Sequence, residues 1–406
     1  MSNLEELIER LCPDGVEYKY LADVVTIKRG VRLIKKELKD NAKYPVYQNS
    51  LIPLGYYDDY NCEANKTMII TAGAAGDIVY SYTKFWAADD CFYFICNRYI
   101  DDKFLYYVLM SQQRGIYSKV RKASIPRLPR IVIEKIKLPV PPLEVQREIV
   151  RILDNFAIAT TEIQQKLQEE LAARQKQYEY YRDLLLTFKS NESTILNERT
   201  NELELSGAIR WMKLGDIAKF TYGYTDKAKD FGNARFIRIT DITEDGCLNS
   251  QGAKYINLTA DSKKYLLNYG DLLLARTGAT YGKTLYFSSD IPAVYASFLI
   301  KITLDNNIIS NRFYWHFSKS RLYWEQAEKL VSQGGQQQFN TNAVSRVNIP
   351  VPPLEVQQRI VDILDRFDTL CNDISSGLPA EIEMRQKQYE YYRDKLLTFK
   401  ELKKEA

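Results

Sequence analysis

Two stretches of this chain recur at a fixed offset of 211 residues. Residues 138–156 read LPVPPLEVQREIVRILDNF and residues 349–367 read IPVPPLEVQQRIVDILDRF, 14 identities in 19 positions. Residues 174–188 (RQKQYEYYRDLLLTF) and 385–399 (RQKQYEYYRDKLLTF) agree at 14 of 15. Two separate matches in one register make the chain a tandem duplication. Any fold must therefore accommodate a globular block at 1–137, a helical spacer at 138–199, a second block at 200–348 and a second spacer at 349–406.

Each spacer opens on a stiff extended stretch, Pro139–Pro142 or Pro350–Pro353. Its last proline suits the first helical position, with Glu144 or Glu355 favourable in the first turn. A heptad seam follows, carried in the first copy by Leu153, Phe156, Tyr178, Tyr181 and Leu185, with one stutter at Leu167–Leu171. The second copy repeats it through Leu364, Phe367, Tyr389, Tyr392 and Leu396, with Ile374 between. Nothing breaks the first helix after Pro142, which predicts about 45 residues and roughly 68 Å. Ser375-Ser376-Gly377-Leu378-Pro379 should kink or interrupt the second. The two seams are expected to pack on each other, antiparallel, as a coiled-coil rod, and their acidic, tyrosine-rich outer surface offers a dock for a protein partner.

The blocks share a weaker pattern. Leu21 through Gly30 aligns with Leu214 through Gly223, and a strand running into a glycine loop recurs at 68–73 and 272–278. Strands follow at 91–96 and 297–303, then helices at 101–114 and 310–330. Mixed α+β blocks are the expected fold class. Gly278-Ala279-Thr280-Tyr281-Gly282-Lys283-Thr284 resembles a phosphate loop, yet it is one residue short between its glycines and Gly73-Ala74-Ala75-Gly76 lacks Lys-Thr altogether. A turn that lets a second loop approach closely is the better reading.

Several functions are excluded or disfavoured by residue types. Six cysteines form no CxxC pair and His316 is the only histidine, which leaves no thiolate–imidazole metal site and no histidine triad in the first half. No apolar run reaches membrane-spanning length and the first eleven residues carry three acids, so a soluble, reducing, cytoplasmic setting is expected. No catalytic residue set is found.

The charge is uneven: +4 over 1–137, +4 over 200–348 and −4 over the remainder, which suggests two blocks that face a polyanion. Candidate DNA contacts in block one are Lys28, Arg29, Arg32, Lys35 and Lys36, read as a loop after the first strand. Lys119, Arg121, Lys122 and Arg127 add a proline-bounded loop inside an acid-free run from Lys103 to Ile133. Block two offers Arg235, Arg238, Arg276 and Lys283 for charge. Its own acid-free run carries Gln333, Gln336, Gln337, Gln338 and Asn340, whose amides suit adenine as arginine suits guanine. Differently composed loops on similar blocks would read different half-sites.

At these residues the chain resembles the specificity subunits of type I restriction-modification systems. The carriers are PVPPLEVQ at 139–146 and 350–357, the twin RQKQYEYYRD tracts, the opening Cys12-Pro13-Asp14-Gly15-Val16-Glu17, and Arg235–Ile242. The resemblance implies two target recognition domains held apart by two antiparallel helical regions, each domain binding one half of a split, asymmetric duplex DNA target. It also implies two docked methyltransferase subunits and ATP-dependent restriction subunits as partners. S-adenosylmethionine, ATP and Mg would then reside on those partners, with no cofactor, metal or catalytic residue on this chain. A coiled-coil scaffold, a stand-alone DNA-binding protein and a stand-alone enzyme are the competing readings. The first leaves the acid-free loops unexplained and the last lacks its motifs.

Overall fold

A computed structural model describes residues 3–39, 41–188, 209–249, 251–332, 337–373 and 376–402. Two compact units emerge, Met1–Lys166 with Ile382–Ala406 and Leu167–Glu381. Each unit thus combines one globular block with helix segments drawn from both repeats.

In the first unit Glu17–Tyr20 pairs antiparallel with Lys137–Val140, Glu17 opposite Val140, so the proline stretch closes the block as a short strand. A four-stranded antiparallel sheet runs in the order Val25–Arg29, Cys91–Cys96, Lys66–Ile70, Ile78–Ser81. A three-stranded sheet, Gly55–Tyr57, Tyr44–Tyr47, Trp86–Ala87, lies beside it with a parallel pairing between the last two. The strands are β-branched and aromatic, as CFYFIC at 91–96 and KTMII at 66–70 show, and Met68, Ile69, Ile70 and Phe94 are fully buried. Helices Asp102–Ser111 and Gln113–Tyr117 cover the sheet. Asp101 caps the first of them by accepting from the amides of Lys103 and Phe104.

The second unit repeats this plan. Arg210–Lys213 pairs with Asn348–Val351, and the four-stranded order is Ala218–Tyr222, Leu299–Leu304, Leu272–Ala275, Thr284–Tyr286. Its smaller sheet is Tyr255–Ile256, Ala234–Ile237, Ala293–Tyr295, again with the last pair parallel. Asn311–Phe317 and Arg321–Leu330 are its covering helices.

The first spacer is one helix, Leu143–Thr187, of 45 residues. The second is two, Leu354–Asn372 and Leu378–Leu396, so the expected interruption is present; Ile374 and Ser375 lie outside the described residues. One detail differs from expectation. Pro353 takes the cap position before the helix, with ψ of 147°, and Leu354 is the first helical residue. Its carbonyl receives the amides of Val356 and Gln357, as that of Pro142 receives those of Val145 and Gln146.

The seams pair antiparallel within each unit. Phe156 meets Tyr389 and Tyr392 at ring separations of 5.7 Å, and Gln164 donates to Gln386 at 3.1 Å. In the second unit Phe367 meets Tyr178 at 6.4 Å and Tyr181 at 5.8 Å. These are the same contacts with the repeats exchanged. Leu153, Leu185, Leu364 and Tyr178 are buried, whereas Ile163 in mid-helix is 41% exposed and Tyr392 is 43% exposed. The seam is therefore tightest where it also touches a globular block. Leu396, half-buried, shares that role with the buried Leu397 beside it.

The repeated Gln of PVPPLEVQ has a structural reason. Gln146 is fully buried, accepts the Asp101 amide at 2.8 Å and donates to the carbonyls of Tyr99 and Pro141. Gln357 accepts the Ser310 amide at 2.9 Å and donates to Ile308 and Pro352. Each glutamine welds its spacer to the first covering helix of its own block. Gly15 likewise explains the opening motif: at φ +110° it lies against the C-terminal segment, and a Cβ would stand 2.5 Å from the Lys400 carbonyl. Val16 donates its amide to the Lys400 carbonyl and accepts the Leu402 amide at its own carbonyl.

Candidate nucleic-acid interface

In both blocks one end of the four-stranded sheet gathers a glycine turn and a polar hairpin. In block one the hairpin is closed by Arg121 and Arg127, which exchange backbone hydrogen bonds of 2.9 and 3.2 Å. It is pinned to the strand end by Leu128 donating to the Thr71 carbonyl at 2.8 Å and Gly73 donating to that of Pro126 at 3.2 Å. In block two Ser332 bridges Gln338, Gly278 donates to the Gln337 carbonyl at 3.3 Å and Phe339 donates to that of Arg276 at 2.8 Å. Gly73 and Gly278 have φ of +78° and +70°, which a side chain resists. The turn thus serves to bring a second loop close, as the sequence suggested. Lys283 of the phosphate-loop lookalike is 14% exposed and paired with Glu244, so its ammonium is committed within the domain.

Most block-one candidates are exposed on this surface. Arg121, Lys122 and Arg127 belong to the hairpin and Lys119 precedes it; all four are exposed. Lys28 and Arg29 are not in a loop: they end the edge strand Val25–Arg29, where Arg29 pairs with Phe92. Arg32 follows in an extended connection, and Lys35 and Lys36 form a 3-10 turn with Glu37, all exposed.

The block-two candidates divide differently. Arg235 is buried, 7% exposed, and donates to the Asn249 carbonyl; its charge faces the fold. Arg238 clasps Asp241 with two hydrogen bonds of 3.1 and 3.0 Å and also reaches the Gly252 carbonyl, a bracing role that its sequence position did not reveal. Asn340 caps the short helix Thr341–Val344 by accepting from Ala343 at 3.0 Å, so its oxygen is engaged. Gln337 and Gln338 are exposed at the hairpin base. Gln333 and Gln336 lie outside the described residues. Arg276 is half-buried between the rings of Tyr222 and Phe298.

Tyr222 and Phe298, 42% and 51% exposed, were missed by sequence reading because single aromatics carry no motif. Their signal was positional: both flank strands that the glycine-based alignment of the blocks already marked. Tyr180 and Tyr391 fall within the tyrosine-rich spacer surface that the sequence offered as a dock, without being singled out there. They are 60% and 61% exposed on the spacers, although they belong to the best-matched stretch of the repeat.

Among the described residues no group of three or more His, Cys, Asp or Glu could hold a metal ion, and no helix is long and apolar enough to cross a membrane. The six cysteines are unpaired.

Comparison with known proteins gives a consistent result. A family model described as the type I restriction modification DNA specificity domain matches residues 13–173 and 209–384. A putative type I restriction enzyme specificity subunit of Haemophilus influenzae is 32% identical over 415 aligned residues, covering 98% of this chain and all of that protein. The EcoR124I/EcoR124II specificity subunit of Escherichia coli is 34% identical over 277 residues, 66% of this chain and 63% of that one. Among solved structures, a chain from work on complex assembly and conformational transition of the type I R-M system superposes with a TM-score of 0.62 at 16% identity, covering 95% of this chain and 98% of that one.

Proposed function

Because the chain belongs to the type I restriction-modification DNA specificity family, with two specificity domains, we propose that it reads a bipartite duplex DNA target, one block per half-site. The observation that carries this reading is the matched sheet end: same strands, same glycine turn, same pinned hairpin, but arginines and lysines in one block and amides in the other. A conserved frame with exchanged side chains is what two different half-sites require. Exposed basic residues supply phosphate attraction, and side chains near the turn supply base contacts.

The spacers are proposed to dock two copies of one methyltransferase subunit. Packing explains the repeat at Phe156, Tyr178 and Gln146, but not at Lys176/Lys387 or Tyr180/Tyr391, which are exposed in both copies. Identity without burial fits a partner bound twice. In this reading the chain itself catalyses nothing. The methyltransferases bring S-adenosylmethionine and act on adenine, restriction subunits bring ATP and Mg, and the complex works on chromosomal DNA in the cytoplasm.

Methylome sequencing of cells that express the chain with a methyltransferase subunit tests this. A split adenine-methylated motif that loses or changes one half when residues 200–348 are removed supports it. Absence of any motif from the intact pair overturns it.

A further inference from the structure

Strand register matches the two sheet ends residue by residue. Arg29 pairs with Phe92 as Tyr222 pairs with Ile300, and Ile70 pairs with Cys91 as Ala275 pairs with Leu299. Position by position, Arg29 therefore corresponds to Tyr222, Thr71 to Arg276, and Asp89-Asp90 to Ser297-Phe298. Each end carries one arginine among these positions, supplied by strands on opposite sides of the central one. Both are tied down alike. Arg29 donates Nε to the Asp89 carbonyl at 2.9 Å, and Arg276 donates Nε to the Ser297 carbonyl at 3.2 Å. Those carbonyls occupy the same position in the two domains, so side chains from different strands converge on one spot.

Among the described residues no hydrogen bond or ion pair engages the Nη atoms of either arginine. That separates them from Arg235 and Arg238, whose Nη2 atoms donate to oxygens of their own domain. For Arg276 the rings of Tyr222 and Phe298, with centroids 5.2 and 5.4 Å from Cζ, also hold the guanidinium. A phosphate can be met by any mobile cation. A guanidinium fixed through Nε, with two donors left side by side, instead matches a pair of adjacent acceptors such as O6 and N7 of guanine in the major groove.

We propose that Arg29 and Arg276 are the specificity-determining guanine readers, one in each half-site, an inference that rests on the half-site reading above. Thr71 and Tyr222, which occupy the exchanged positions, cannot offer such a fork, so the duplication kept its location and moved its source.

The test is selection from a randomised duplex library by the full-length chain co-purified with a methyltransferase subunit. It compares the wild type with Arg29→Ala, Arg29→Lys, Arg276→Ala and Arg276→Lys. The expected result is a roughly 5- to 150-fold loss of preference for guanine at one position. That loss falls in one half-site for the Arg29 variants and in the other for the Arg276 variants, with the second half-site unchanged as the internal control for folding. The lysine variants, which keep the charge but lose the fork, lose the same preference. Uniformly weaker recovery with an intact motif, or a wild-type motif in the lysine variants, overturns the inference and makes these residues phosphate anchors. A wild-type split motif with no G·C pair in either half overturns it without any variant. A wild type that selects no split motif overturns the half-site reading itself.

Discussion

His316 Nε2 lies 2.6 Å from Asp365 Oδ1, at the place where the first repeat sets Tyr107 Oη 2.5 Å from Asp154 Oδ1. The acids are 211 residues apart, so duplication kept the carboxylate and changed its partner. A cation accompanies each: Arg312 Nε lies 2.8 Å from Asp365, and Lys103 Nζ lies 2.8 Å from Asp154. Burial pulls the His316 pKa down to about 4, offset only in part by its hydrogen bond to Asp365 and reinforced by the charges of Lys319 and Arg312. The unfolded chain takes up that proton near pH 6.5. Between about pH 4 and 6.5 the unfolded state binds more protons, so stability climbs with pH and drains away as pH falls. Denaturant unfolding should show a loss of a few kcal/mol across this window. His316→Tyr, the first repeat's own solution, should flatten that slope; equal slopes in both proteins would refute the assignment.

Gln146→Ala or Gln357→Ala should cost on the order of 2–5 kcal/mol, because each truncation strands one amide and two carbonyls inside a dry hinge. The damage should be local. Hydrogen exchange should speed up around residues 99–111 in the first variant and around 308–317 in the second. Loosening of both regions by one variant would mean that the hinges are not independent.

The repeat made the architecture legible: a helix of 45 residues, its antiparallel partner and the interruption near Gly377 all follow from offsets and periodicity. What periodicity does not encode is which half of each helix belongs with which block. Phe156 meets Tyr389, and Tyr178 meets Phe367, because the antiparallel seams set the start of each spacer against the end of the other. At the candidate interface, charge pointed to Arg121 and Arg127 through a run of sequence without acids. Arg235 and Arg238 were named for charge alone, and the fold commits both to oxygens of their own domain, since a guanidinium counts alike whether it faces solvent or an internal carbonyl. Composition reports charge, and only the fold reports where that charge is already committed.

Arg121→Ala and Arg127→Ala should weaken recognition of one half-site and leave the other intact. Both side chains are exposed on the hairpin held against Thr71 and Gly73, and neither braces the fold through a side-chain hydrogen bond among the described residues. Each should reduce affinity for the cognate target with a shallower salt dependence, by about one counterion per charge removed. Binding titrations across a salt series would read this. Equal loss on cognate and random DNA would limit these residues to phosphate contacts.

Deleting residues 164–170 should shorten the gap between the two half-sites. The segment lies between Thr160 and Arg174, clear of the contacts of Phe156 with Tyr389 and of Tyr178 with Phe367. Its loss forfeits the exposed bond from Gln164 to Gln386 and the solvent-facing pair of Arg174 with Glu170. Seven residues are two helical turns, so the seam keeps its face while the helix loses about 10.5 Å, equivalent to about three base pairs. The methylated motif should therefore keep both halves and lose about three spacer positions. An unchanged spacer would remove the helix from any measuring role. A five-residue deletion supplies the contrast: it turns the far part of the helix by about 140°, takes the seam off its partner, and should abolish recognition outright instead of moving the spacer.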